Sequence, residues 1–222
     1  MLLDRFASPL WGLLCGAALF VLLLPSAAHG QLQDVSDRRV QVHISGSPAY
    51  PFSTSDFSVA YQNGASVSVA GGVTLKPDWE IALEGSYSRF RLDESGYATS
   101  INGSQEADFE GQMAVYSGTI TLKRLIYTEG RVVPYFASGV GVYHLDEDDV
   151  ELIVGDRSFL SSRRQNRSLV GIHVGFGVAA RVTDWLSLFA EPRYTATASF
   201  SDTKAPTIDY ASARIGLIAA PW

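Results

Sequence analysis

Seven charged residues stand where charge is expensive. Glu80, Glu84, Lys123, Arg181, Glu191, Arg193 and Arg214 all fall inside stretches that alternate apolar residues with small or polar ones, and all seven take the non-apolar positions. Successive side chains on a strand point to opposite faces, so the seven share the face opposite the greasy one. Three acids there stand against four bases. If that face is enclosed the groups must pair, because an isolated buried charge is very costly. A salt-bridge network across that enclosed interior is the chemistry such a set serves best; a proton or ion path through the same groups is the sharper alternative.

Nucleophilic catalysis has thinner support. His43-Ile44-Ser45 places a base near a hydroxyl. A nucleophile also needs a third group to orient its base, and no acid stands beside this pair in the sequence. His144-Leu145-Asp146 and His173 lack a complete set in the same way. Asp146 to Asp149 with Glu151 is oxygen-rich enough for calcium or magnesium, but the Asp-x-Asp-x-Asp-Gly spacing is absent and the run reads as a solvated acidic loop. The expectation is therefore no catalytic residue, no metal site and no cofactor.

The elements that position these residues are strands. The clearest is the hairpin from Ser168 to Ala198. Val170, Ile172, Val174, Phe176, Val178 and Ala180 form one face against Gly171, His173, Gly175, Gly177 and Arg181. After Thr183-Asp184-Trp185 the pattern resumes, with Leu188, Ala190, Tyr194 and Ala196 opposite Ser187, Glu191, Arg193, Thr195 and Thr197. Similar alternation marks strands from Val40 to Ser45, Ser66 to Leu75, Trp79 to Ser88, Phe109 to Leu125, Pro134 to Tyr143 and Tyr210 to Ala219. Pro48 and Pro51 are expected to break the first of them, and Pro192 to cost strand seven a ladder bond or mark a bulge. Leu92–Asp108 and Leu145–Arg167 read as long loops.

The eight predicted strands are joined by connections that run long, short, long, short, long, short, long. Short periplasmic turns and long outer loops are the habit of transmembrane barrels, and a long first connection puts both chain ends on the periplasmic side. Trp79, Tyr135, Trp185 and Trp222 fall beside the short turns or the terminus, and Tyr87, Phe90, Tyr143, Phe200 and Tyr210 toward the other end. These are candidates for the two aromatic girdles at the membrane interfaces.

Residues 1–30 stand apart. Arg5, an apolar run from Leu10 to Leu24, Pro25 and Ala28-His29-Gly30 compose an expected cleaved signal peptide, leaving 31–222 as one domain. The only cysteine, Cys15, lies in that segment, which excludes a disulfide scaffold or thiolate metal site from the remainder. A net charge of −6 gives no support for nucleic-acid binding.

Pro134-Tyr135-Phe136-Ala137-Ser138-Gly139-Val140-Gly141-Val142-Tyr143, the strand Gly171 to Arg181 followed by Thr183-Asp184-Trp185-Leu186-Ser187-Leu188, Glu191 to Tyr194, and the terminal aromatic Trp222 come in a telling order. Together they resemble the outer-membrane protein β-barrel domain family, the small eight-stranded barrels related to OmpA and OmpX. The resemblance implies an all-β, eight-stranded antiparallel up-and-down transmembrane β-barrel in a bacterial outer membrane. It implies a non-enzymatic structural or surface-interaction role through the outer loops. The implied partners are outer-membrane lipid, lipopolysaccharide, the barrel-assembly machinery during insertion and an extracellular ligand at the loops, with the chain itself a monomer. Arg157, Arg163, Arg164 and Arg167 are expected to pair with the neighbouring acids or to touch lipopolysaccharide phosphates. His43-Ile44-Ser45 also resembles the His-x-Ser pair of outer-membrane lipid A deacylases, which keeps a lipid-A-modifying enzyme open. A soluble exported small-ligand barrel is the other alternative, and it requires the apolar faces to point inward.

Overall fold

The structure, a computed structural model, describes residues 40–52, 60–76, 78–93, 108–126, 130–148, 150–154, 157–162, 165–198 and 208–220. The expected signal peptide with Cys15, and Asp149, Arg163, Arg164, Phe200, Pro221 and Trp222, lie outside the described residues, as do the side chains of Glu151 and Arg157. The described chain folds into eleven strands: β1 (Val40–Pro51), β2 (Gly64–Lys76), β3 (Trp79–Arg91), β4 (Asp108–Glu110), β5 (Gln112–Leu125), β6 (Val132–Glu147), β7 (Val150–Val154), β8 (Arg157–Ser162), β9 (Gln165–Arg181), β10 (Leu186–Ala198) and β11 (Asp209–Ala219).

Eight of these close into a barrel in the order β1-β11-β10-β9-β6-β5-β3-β2. Every neighbouring pair is antiparallel and consecutive along the barrel chain, with β1 and β11 sealing the ring. Closure removes the free edges that an open sheet of this size would present. Val40 pairs with Val73 and Leu186 with Ala219, so both described chain ends lie at the end that carries the short turns.

Three strands lie in stretches that alternation alone reads as loop or as part of a longer strand. β4, β7 and β8 form a small antiparallel sheet at the long-connection end. β4 is the beginning of the predicted fourth strand, cut off at Gly111, whose carbonyl accepts the N–H of Leu92. β6 and β9 run on in register to Glu147↔Gln165, past the expected loop boundaries at Leu145 and Arg167. Backbone pairing with a neighbour holds these strands even where the alternation is lost to charge.

The prolines behave with equal economy. β1 does not stop at Pro48; it continues to Pro51, and Pro48 pairs in register with Ala65 of β2. On its other side the ladder skips Ser47 and Pro48 and resumes at Ala49↔Ser212 without a shift. Pro192 does the same: it pairs with Ala213 of β11, while toward β9 the ladder jumps from Ala190↔Val178 to Arg193↔Gly175 in unchanged register. Proline lacks one donor, so each costs bonding on one side only and neither forms a bulge.

Parity sorts the side chains. Leu83 and Ile215 are each 68% exposed on the outer wall, with Phe176, Ile44, Val67 and Val69 also outward. Glu80, Glu84, Lys123, Glu191, Arg193 and Arg214, with Ser45, Thr119, Thr121 and Thr195, turn inward and are buried. The apolar faces therefore form the outside of the barrel, which contradicts the soluble small-ligand alternative.

Candidate functional site

The lumen is the candidate site, and it is built in layers. At the long-connection end it is closed by an apolar cluster that includes Phe90, Met113, Val115, Leu145, Leu169 and Ile208. Tyr143 and Tyr210 belong to this cluster too, so they and Phe90 sit inside the barrel and not at a membrane interface. Below the cluster comes a hydroxyl-lined pocket of about 20 Å³ bounded by Ser47, Ser86, Thr119 and Thr195, room for about one water molecule.

Four charges form a closed ring beneath it. Arg193 Nη1 donates to Glu84 Oε1 at 2.7 Å and its Nε donates to Glu191 Oε1 at 2.7 Å. Arg214 Nη1 donates to Glu191 Oε1 at 2.9 Å and its Nη2 donates to Glu84 Oε2 at 3.0 Å. Each acid thus meets both arginines and each arginine both acids. All four residues are buried. Arg214 also donates from Nε to Ser45 Oγ at 3.3 Å and from Nη2 to Ser68 Oγ at 2.7 Å. Charge-assisted hydrogen bonds of this kind offset the large cost of stripping water from the ions.

A second cluster lies toward the short-turn end. Lys123 Nζ donates to Glu80 Oε1 at 3.2 Å and lies 3.1 Å from His43 Nδ1, while His43 Nε2 lies 3.0 Å from the same Glu80 oxygen. Gly72 makes the space: a Cβ there would lie 2.6 Å from Glu80 Oε1. Six of the seven charges singled out in the sequence are thereby engaged with one another. Arg181 is the seventh. It lies half-buried at the short-turn mouth, with no carboxylate within salt-bridge distance among the described residues.

His43 and Ser45 both face the lumen and are drawn to different partners. Ser45 Oγ contacts Ser68 Oγ at 2.8 Å and accepts from Arg214; His43 turns to Glu80 and Lys123. The acid that the sequence did not show beside His43 is Glu80, contributed by another strand, yet the hydroxyl is committed elsewhere. His173 lies beside Thr121, with Nε2 to Oγ1 at 3.1 Å. His144 sits outside, its Nδ1 3.1 Å from Ser168 Oγ. Arg167 is 3.7 Å from Glu147, the acidic partner expected of it. Among the described residues no cluster of His, Cys, Asp and Glu is arranged to hold a metal ion.

The aromatic assignments divide by parity. Trp79 stands at the start of β3 with its ring 5.5 Å from the Arg124 guanidinium, and Trp185 is 57% exposed on the short turn. Tyr135 does not join them. It is an inward position of β6, buried, with its ring 5.6 Å from Lys123 Nζ. At the other end the outward aromatics are Tyr87 with Tyr116, 5.1 Å between ring centres, and Phe52 with Tyr194, 5.3 Å. Tyr50 and Tyr116 are among the exposed large side chains.

No protein-family model matches the sequence, and no curated protein matches it. Solved structures do. Neisserial surface protein A superposes with a TM-score of 0.53 at 18% identity, covering 82% of this chain and 95% of that one. This is the fold of the small eight-stranded outer-membrane barrels. Two barrels from Pseudomonas aeruginosa also match, with lower TM-scores. OprG has 12% identity, 83% and 97% coverage and a TM-score of 0.46; the N-terminal domain of OprF has 17% identity, 80% and 96% coverage and a TM-score of 0.40. The chain has the arrangement expected of that fold, with its paired charges enclosed and a continuous set of exposed apolar side chains on the outer wall.

Proposed function

We propose that this chain is a non-enzymatic bacterial outer-membrane protein whose lumen is plugged by its own ion pairs and whose role is structural or surface-interacting through the long connections. The observation that carries the reading is the pairing of a continuous outward apolar wall with an interior closed by the Glu84–Arg193–Glu191–Arg214 ring. An eight-stranded barrel has an interior just wide enough for side chains, so the ring leaves no aqueous channel. On this reading both chain ends are periplasmic and the long connections, with the β4-β7-β8 sheet, meet the outside. Lipid and lipopolysaccharide surround the monomer, the assembly machinery inserts it, and any extracellular ligand binds at the loops. Neutralising the loop arginines lowers lipopolysaccharide affinity if they hold its phosphates.

Membrane fractionation with heat-modifiable gel migration tests the barrel and its location together. The expected result is an outer-membrane fraction whose unheated band migrates differently from the boiled one; a soluble protein with unchanged migration overturns it. Planar-bilayer recording tests the plug, which predicts no sustained conductance from the wild-type barrel.

A further inference from the structure

One inward-facing cation is left over from the lumen pairing. Lys123, Arg193 and Arg214 each contact a carboxylate, but Arg181 has no acid within salt-bridge distance among the described residues. It lines a cavity of about 100 Å³ at the short-turn end, whose floor is the Glu80–Lys123 pair, already joined at 3.2 Å. The Arg181 N–H donates to the Arg131 carbonyl at 2.9 Å, and Arg131 lines the same rim. Leu125 and Ile218 supply apolar wall, and Trp185 stands exposed at the edge. Asp184 is the opposing charge on the turn, outside salt-bridge reach of either arginine.

We propose that this mouth binds the anionic head, carboxylate or phosphate, of a small amphiphile. The head pairs with Arg181 and Arg131, and the apolar part lies along Leu125, Ile218 and Trp185. A guanidinium fork matches the planar oxygens of a carboxylate or the face of a phosphate, and it acts more strongly in a half-desolvated mouth than in open water. The cavity is several times the space that one water needs, which suits a head group. The Glu80–Lys123 floor sets the depth, because displacing that pair would strand a buried charge. The ligand head can come from a free amphiphile or from a lipid of the adjacent leaflet.

The test is a titration of the folded barrel in neutral detergent with sodium octanoate, following the Trp185 indole and arginine side-chain resonances. Saturable movement is expected with octanoate, weaker movement with inorganic phosphate, and none with neutral 1-octanol. Arg181→Gln should weaken octanoate binding about tenfold, the loss of one charge-assisted pair. Arg181→Lys, which keeps the charge, retains part of it, and Asp184→Asn tightens it. Heat-modifiable migration verifies that each variant is folded. Equal response to 1-octanol, or an Arg181→Gln titration that matches wild type, overturns the proposal. In vesicles, a bound-state signal in phosphatidylglycerol that octanoate cannot move supports the site with a lipid head as occupant. Coincident octanoate titrations in phosphatidylglycerol and phosphatidylcholine support it with a free anion.

Discussion

Glu84 and Arg193 meet across the full diameter of the barrel. Their strands, β3 and β10, stand four places apart in the closed ring whichever way it is counted, and their side chains join at 2.7 and 3.3 Å. The fork and the carboxylate bridge the lumen directly. Removing Glu84 leaves two buried arginines, Arg193 and Arg214, to share the single carboxylate of Glu191, one positive charge uncompensated, so Glu84→Ala is expected to lower the unfolding free energy by about 3–5 kcal/mol. The double variant Glu84→Leu/Arg193→Met leaves Glu191 paired with Arg214 at 2.9 Å and should cost far less than the two single changes together. Urea unfolding in lipid vesicles supplies the double-mutant cycle; additive single effects would show that the two residues do not act as a pair.

The outer wall should discriminate by depth. Leu83, at mid-strand, and Leu75, near the short turn, are both exposed on the apolar face. If that wall meets lipid, Leu83→Arg costs about 2–4 kcal/mol and Leu75→Arg about 0–1 kcal/mol. The same vesicle unfolding assay reads both. A small and equal cost at the two positions would fit a wall that meets water.

Two glycines should respond oppositely to one added methyl. A Cβ at Gly139 would lie 2.6 Å from His173 Nε2 and 2.6 Å from the Ile120 carbonyl, whereas at Gly118 it would meet nothing within 4 Å. Gly139→Ala is therefore expected to destabilise by about 1–3 kcal/mol through overpacking, and Gly118→Ala to stay within about 0.5 kcal/mol of wild type. Equal stabilities for the two variants would contradict the close approach of β6 to His173.

Pro192 should reveal its cost in hydrogen exchange. Its missing donor coincides with the gap in the β10–β9 ladder between Ala190↔Val178 and Arg193↔Gly175. Pro192→Val returns an N–H to that side, and the new amide should be protected like its neighbours. Free exchange at that amide would mean that the proline is not the cause of the gap.

The lumen was legible in the sequence to the extent that it depends on parity. A strand repeats every two residues, so the inward set containing Glu80, Glu84, Lys123, Glu191, Arg193 and Arg214 follows from local alternation without knowledge of any neighbour. The same rule placed Leu83, Phe176 and Ile215 on the outer wall. For Tyr135, position along the chain and parity disagree: it lies near a short turn, where an interface aromatic is expected, but its parity turns it inward. The same holds for Phe90, Tyr143 and Tyr210, which lie near the strand ends but close the lumen instead of ringing it.

The sequence by itself determined the strand pattern, the two faces and the alternation of long and short connections, because each is a property of neighbours along one chain. Which charges touch was decided by the tertiary structure. Strand stagger and closure set each residue's height and bearing in the lumen, and those depend on ladder bonds between segments far apart in sequence. This stagger brought Glu84 to Arg193 across 109 positions of chain and Arg214 to Ser45 across 169, drew His43 to Glu80, and left Arg181 at the mouth. It also carried strands into β4, β7 and β8, where pairing with a neighbour holds backbone that the residue pattern alone reads as loop or as part of a longer strand.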